Sequence, residues 1–411
     1  MIADRGAPLF DSGNTRDYNH ATDSNYKKLR AEADALYDKR HKLSQQLQLA
    51  YKLGDGAKAH ELSEKLKKIL EQAEAKNRQA AEYVFRENNT DSAEDEIDLH
   101  GLYNSKYKLS NGYQIPVAGF GVYTVPEGET FELVYEALVQ GYRHIDTAYF
   151  YKNEEETARA IHQFLKDNAH VKREDIWYTT KLMNTTNGYE NTVKIVEETA
   201  AKVKKYIDYV DLYLIHSPKS DRETRLGTWK ALQEYVGNPS NKTLNIHSIG
   251  VSNYGIKHLE ELLNWDGLLV KPVINQLELH PWSPQLKLRE YLVKHHILVE
   301  AYSPLTQGVK LNDPELLQLE HTYRIPKAEI LLKWSYLQGF IVLAKTAKKE
   351  RIAQNLNVLP KESNTQDALD VSSHLGKVDL DINILDALNK PDSHEICTWG
   401  GEDSTLYEDP K

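Results

Sequence analysis

Between Val117 and Thr346 the chain repeats one unit eight times, and that repetition limits its fold more than any other feature. Eight short apolar runs read as strands. They are Val117 to Tyr123, His144 to Ala148, Ile176 to Leu182, Val210 to His216, His247 to Asn253, Val273 to Leu279, Leu298 to Ser303 and Ile341 to Thr346. Stretches with helical spacing, such as Thr130 to Gln140 and Tyr189 to Tyr206, lie between them. This alternation predicts a parallel sheet, and eight units predict an α/β fold closed as a (β/α)8 barrel. Ahead of it, Lys106 to Pro116 reads as a hairpin with Asn111-Gly112 at the turn.

In such barrels the reactive side chains stand where strands end. Asp146, Lys181 and His216 lie at or near the ends of three successive runs, and Tyr151 follows Asp146 by five residues. Taken alone, Asp146 fits a helix cap and Tyr151 fits a packed ring. A lysine or histidine ending an apolar strand is hard to place in a core, so the four together read as a reaction centre.

These residues carry a resemblance. Asp146, Thr147, Ala148, Tyr151, Asn153 and Glu154 meet the DTAxxYxNE signature of the aldo-keto reductases. TTKL around Lys181 and LIHSP around His216 match the lysine and histidine strands of that family. The resemblance spans residues 106–400 and implies NADPH-dependent reduction of an aldehyde or ketone. It makes Tyr151 the general acid, Lys181 the cation that lowers its pKa, Asp146 the partner of that lysine, and His216 a hydrogen-bonding group for the substrate oxygen. Free tyrosine titrates near 10, so such help is needed. The hairpin would close the barrel bottom.

No Rossmann fingerprint is present: Gly119-Phe120-Gly121 lacks a third glycine at Thr124 and reads as a backbone turn. The resemblance instead implies a dinucleotide stretched across the barrel mouth. Ser252, Asn253 and Gln276 would bind the nicotinamide carboxamide, and Tyr302 would stack on its ring, with Ser303 and Leu305 beside it. LAKTAKKERIAQN resembles the family's phosphate-binding run, which puts Lys345, Thr346 and Arg351 around a 2′-phosphate and Gln354 and Asn355 toward adenine. An arginine there favours NADP+/NADPH over NADH. Met183 and Ser217 replace two pocket tryptophans, which predicts a wider, less aromatic pocket. Ala158 replaces a glycine, Ala344 replaces a proline, and Gly237 to Asn245 reads as an insertion away from the catalytic face. His280 and Cys397 read as structural, and no metal site is expected.

The barrel accounts for part of a 411-residue chain. Residues 1–23 are polar and aperiodic, and expected to be disordered. Residues 24–90 show two helical patterns broken at Gly54-Asp55-Gly56, with Leu36 and Leu43 on one face and Leu62, Leu66 and Ile69 on the other helix, as in an antiparallel helical hairpin. This arm resembles the small helical domain that precedes Smr domains. In the linker 91–105, IDLHGLY resembles a truncated Smr start. A tail, 401–411, follows the barrel. The arm's partner is not named by its sequence. One cysteine precludes an intrachain disulfide and points to a reducing compartment, cytoplasmic or nuclear. Met1 to His20 has no apolar core for a signal peptide, and no run is long enough to cross a bilayer. A net charge of −10 argues against nucleic-acid binding by the whole surface. The resemblance implies a small carbonyl substrate as partner; no membrane is expected, and the charge disfavours nucleic acid. Two other readings remain at this level: a nucleotide-sensing regulatory subunit with a reductase fold, and a ribosome- or RNA-binding role for the arm.

Overall fold

The computed structural model describes residues 106–126, 128–183, 188–238, 241–359, 378 and 380–409. In the arm it describes residues 28, 31, 32, 35, 36, 39, 42, 43, 46, 58, 60–69, 72 and 76. The expected disorder of 1–23, the Gly54–Gly56 break and the IDLHGLY stretch lie outside the described residues. The chain divides into an N-terminal unit and a barrel unit.

In the arm every described residue is helical. Leu62 and Ile69 are buried, Leu66 half-buried, and the lysines and glutamates between them exposed, as an apolar stripe of spacing four and three requires. Lys76 Nζ lies 2.7 Å from Glu32 Oε2. A residue late in the second pattern thus meets one early in the first, as antiparallel helices demand.

The barrel unit begins with a hairpin, β1 (Lys106–Lys108) and β2 (Gln114–Pro116). Gly112 has φ +92°, a conformation glycine adopts without strain, so Asn111-Gly112 makes the turn as expected. Leu109 and Ile115 from the hairpin pack with Trp177, Leu212, Leu214, Val273, Ile274 and Ile341. All of these but Val273, which precedes β8, are barrel-strand residues, so the hairpin packs against the barrel strands.

Eight strands close the barrel: β3 (Ala118–Gly121), β4 (His144–Asp146), β5 (Trp177–Lys181), β6 (Tyr209–Ile215), β7 (Asn245–Ser252), β8 (Ile274–Glu278), β9 (Leu298–Tyr302) and β10 (Ile341–Ala344). All neighbours are parallel, and β10 pairs with β3 through Val342 and Ala118 to complete the ring. Every expected strand is present, with its ends within two residues of those expected. The outer layer includes α1 (Thr130–Gln140), α2 (Glu154–Asp167) and α3 (Tyr189–Val203). Helix α1 shows why: it buries Thr130, Leu133, Val134, Ala137 and Leu138, one stripe, and ends at Gly141 in the left-handed region. Of the expected insertion Gly237 to Asn245, residues 241–244 lead into β7 and Asn245 begins it, at the end of that strand opposite the site.

Gly119 and Gly121 are in β3, so the glycine pair is strand and not turn. A Cβ on Gly119 would come 2.4 Å from Leu343 Cδ2. At Gly250 in β7 it would come 2.8 Å from the Ile274 carbonyl oxygen, a backbone atom of the next strand that cannot step aside. Gly250→Ala is expected to destabilise the barrel by about 1–3 kcal/mol, read from the shift of its denaturant midpoint. An unchanged midpoint would show that β7 and β8 can separate freely.

Candidate active site

The loop after β4 is built by the signature residues. The Thr147 hydroxyl donates to Asn153 Oδ1 (2.6 Å), and Asn153 Nδ2 donates to the Val122 carbonyl (3.0 Å). Glu154, wholly buried at the start of α2, accepts from Thr180 (2.7 Å), Thr199 (3.2 Å) and Lys202 (2.9 Å), fastening α2 to β5 and α3. Between these anchors Tyr149–Tyr151 forms one 3-10 turn, which turns the Tyr151 ring over the barrel mouth. Thr147, Asn153 and Glu154 therefore hold the loop in place.

Asp146, Lys181, Tyr151 and His216 meet there. Lys181, fully buried at the end of β5, donates from Nζ to Asp146 Oδ1 (2.6 Å), to the Thr147 carbonyl (2.9 Å) and to the Tyr151 hydroxyl (3.3 Å). The Tyr151 ring packs against Tyr123 (4.9 Å between centroids) and edge-on to His216 (5.6 Å). Burial pushes the Asp146 carboxyl above its ordinary value while Lys181 pulls it back.

Burial first, and then Asp146, Tyr123 and Glu300, push the Tyr151 phenol well above its ordinary value. His216 is held down to about 3, first by burial and then by Lys181, and so is neutral. Its Nδ1 lies 3.3 Å from the Leu182 carbonyl, which can only accept, so Nδ1 carries the hydrogen and Nε2 a lone pair. In that tautomer His216 accepts at Nε2 and does not donate to a carbonyl oxygen.

The sequence matches the aldo/keto reductase family profile over residues 118–375. The chain belongs to the aldo/keto reductase family. It is 43% identical over 251 residues to an uncharacterized oxidoreductase of Saccharomyces cerevisiae, covering 61% of this chain and 87% of that one. It is 36% identical over 284 residues to the glyoxal reductase of Bacillus subtilis, covering 69% and 92%. Among solved structures, an aldo/keto reductase from Brucella melitensis superposes with a TM-score of 0.57 at 37% identity, over 70% of this chain and 99% of the other. The arm, residues 26–89, matches a domain of unknown function, DUF1771. Among the described residues no helix is long and apolar enough to cross a membrane.

The reductase barrel brings the expected amide-binding residues together. Ser252 Oγ donates to the Gln276 carbonyl (2.8 Å), and Asn253 Nδ2 reaches Ser252 Oγ (3.1 Å) and the His216 carbonyl (3.0 Å). Gln276 is tied on its nitrogen: Nε2 donates to Asp146 Oδ2 (2.9 Å) and Glu300 Oε2 (2.7 Å). Tyr302, ending β9, donates to Asn253 Oδ1 (2.7 Å), and Ser303 and Leu305 follow it. Lys345 comes just after β10 and donates to Thr124 Oγ1 (3.2 Å). Thr346 is buried and receives the Lys348 amide (3.0 Å). Arg351 and Gln354 are exposed on helix α9 (Lys349–Leu356), with Asn355 turned inward.

The C-terminal segment beyond Lys390, where the sequence places a substrate-setting loop, supplies residues that the sequence does not single out. Glu278, ending β8, accepts from the Cys397 amide (2.6 Å), the Thr398 amide (3.2 Å), the Thr398 hydroxyl and His280 Nε2 (3.0 Å). Glu278, His280 and Cys397 offer ligand atoms within 4.8 Å of one another, yet these four donors occupy the carboxylate, and the cluster holds the tail. Trp399 Nε1 donates to the Tyr302 hydroxyl (3.0 Å), and its ring stands edge-on to His216 (5.9 Å). The tail therefore returns an indole to the mouth, and the pocket is not depleted of aromatics by Met183 and Ser217. No local motif announces Trp399; WGG sits far from the barrel repeats.

Proposed function

We propose that this chain reduces an aldehyde or ketone to an alcohol with NADPH. The observation that carries the reading is one buried ammonium, Lys181, bound to both Asp146 (2.6 Å) and the Tyr151 hydroxyl (3.3 Å) at the strand ends. Bound NADPH would supply the hydride to the carbonyl carbon. Tyr151 gives its hydroxyl proton to the carbonyl oxygen as the C=O double bond becomes a single bond, and the phenolate left behind is stabilised by Lys181. Neutral His216 suits the product side, where its Nε2 can accept from the new alcohol hydroxyl. The high pKa of the phenol in the free chain supports a donor that keeps its proton until hydride arrives. Asp146 keeps Lys181 in place and balances its charge.

The polar set at the mouth suits the cofactor. Because Gln276 Nε2 is engaged by two carboxyl groups, its oxygen is left to accept from a carboxamide N–H. Arg351, exposed and without an ion-pair partner among the described residues, suits a 2′-phosphate with Lys345 and Thr346. Charge-assisted contacts are worth roughly 1.5–3 kcal/mol each. Arg351→Ala should weaken NADPH binding by about 10- to 150-fold and NADH binding much less, read by quenching of tryptophan fluorescence. Equal weakening of both would remove the phosphate role.

The relative named a glyoxal reductase makes small dicarbonyls the first substrates to try. NADPH oxidation would be followed against glyoxal-type dicarbonyls, simple aldehydes, ketones, α-keto esters and lactones. Turnover with none of them, by protein that binds NADPH, would overturn the reading. We assign the reaction to the cytoplasm on the single cysteine, and read the arm, including its similarity to the domain before Smr domains, as an accessory module.

A further inference from the structure

A carboxyl outside the tetrad is buried inside the barrel and shares a partner with Asp146. Glu300 is wholly buried in the middle of β9, between Val299 and Ala301. One oxygen, Oε2, accepts from Gln276 Nε2 (2.7 Å), and the same nitrogen donates to Asp146 Oδ2 (2.9 Å). The other, Oε1, has no hydrogen-bond partner and lies 3.5 Å from His144 Nε2.

The tautomer of His144 decides what that oxygen carries. His144 Nδ1 is 3.2 Å from the Pro116 carbonyl, which only accepts, so the ring hydrogen is on Nδ1. Burial holds the ring down to about 3, so Nε2 keeps a lone pair at neutral pH. That lone pair faces Thr179 Oγ1 (3.2 Å) and Glu300 Oε1. An ionised Glu300 would set a carboxylate oxygen against it with no hydrogen between, inside a barrel that already holds the Asp146 carboxylate. A protonated Oε1 instead donates.

We propose that Glu300 holds a proton at neutral pH on the oxygen facing His144, and is the positioning residue that orients Gln276 and Asp146 under Tyr151. The titratable groups facing it are His144 and Asp146 of β4, Lys181 of β5 and Tyr151. On the other side β10, Ile341–Ala344, offers none. Burial first, and then Asp146, push the Glu300 carboxyl up to about 8, against Gln276 and Lys181. Below that pH the only full charges of the cluster are Lys181 and Asp146, which cancel. Above it a second negative charge opposes the phenolate that Tyr151 must become, and pulls Gln276 away from its shared bond to Asp146. Its catalytic consequence rests on the reductase reading; its protonation does not.

Infrared difference spectra of the full chain, wild type minus Glu300→Gln at pH 7, are expected to show the carbonyl stretch of one protonated carboxyl, which disappears as pH passes about 8. A flat difference spectrum at pH 7 overturns the proposal. Should Glu300→Gln not fold, titration of the same band in the wild type decides the point alone. Kinetics test the positioning role. Glu300→Ala should lower kcat by about 10- to 100-fold, as expected when a buried partner is removed. Glu300→Gln, which has an N–H for His144 and an oxygen for Gln276, should recover all but about threefold. The wild-type rate should also fall about tenfold per pH unit above about 8, a limb that Glu300→Gln lacks. An alkaline limb kept by Glu300→Gln overturns the role. If the wild type reduces no carbonyl compound, the reductase reading fails while the infrared result still stands.

Discussion

Replacing Tyr151 with phenylalanine is expected to slow carbonyl reduction by about 100- to 10,000-fold, the usual contribution of a positioned general acid. The argument is narrow because the substitution is. The ring keeps its contacts with Tyr123 and His216, and Lys181 keeps Asp146 and the Thr147 carbonyl. Only the hydroxyl leaves, and among the described residues its one hydrogen bond is with Lys181. Neutral His216 cannot replace it as a proton donor, since it is held down to about 3. NADPH affinity should hold within about threefold, as no amide-binding residue touches the hydroxyl and a neutral hydrogen bond is worth about 1 kcal/mol. Single-turnover rates and a fluorescence titration of the same variant separate the two. A variant that reduces a good substrate at nearly the wild-type rate would remove Tyr151 from its role.

Lys181→Met should cost both activity and fold. Among the described residues it removes the only cation within hydrogen-bond reach of Asp146, which is 3% exposed and would be left charged in the barrel. Breaking a buried pair from one side costs about 3–5 kcal/mol, which guanidinium unfolding resolves easily. The double variant Lys181→Met with Asp146→Asn removes the stranded charge and should regain most of that stability while remaining inactive. Its recovery would assign the loss to the charge, and its activity stays lost because nothing then stabilises the Tyr151 phenolate. A double variant as unstable as the single one would mean that Lys181 acts by its packing alone.

The strands and the tetrad were legible because both follow from local rules. Apolar runs separated by helical spacing must alternate in space, and a lysine or histidine ending an apolar run has to face the mouth. The strand ends moved by up to two residues because pairing with a neighbour, invisible in one segment, decides where a ladder stops. The glycines of β3 were misread for the same reason: Gly119 is needed by Leu343, a side chain from the far end of the repeat that closes the ring.

Electrostatics and the tail were decided only in three dimensions. The pKa of Tyr151 depends on burial and on how near Asp146, Tyr123 and Glu300 come, which are distances and not spacings. Glu300 lies inside the run LVEAY, and only the barrel sets it beside His144, Gln276 and Asp146. Trp399 stood 97 residues from Tyr302 until Glu278 anchored the segment before it. Sequence by itself determined which side chains the barrel would offer at its mouth, because period and order are local. Tertiary structure alone decided which of them are charged and which face one another, because burial and Coulomb interactions act through space.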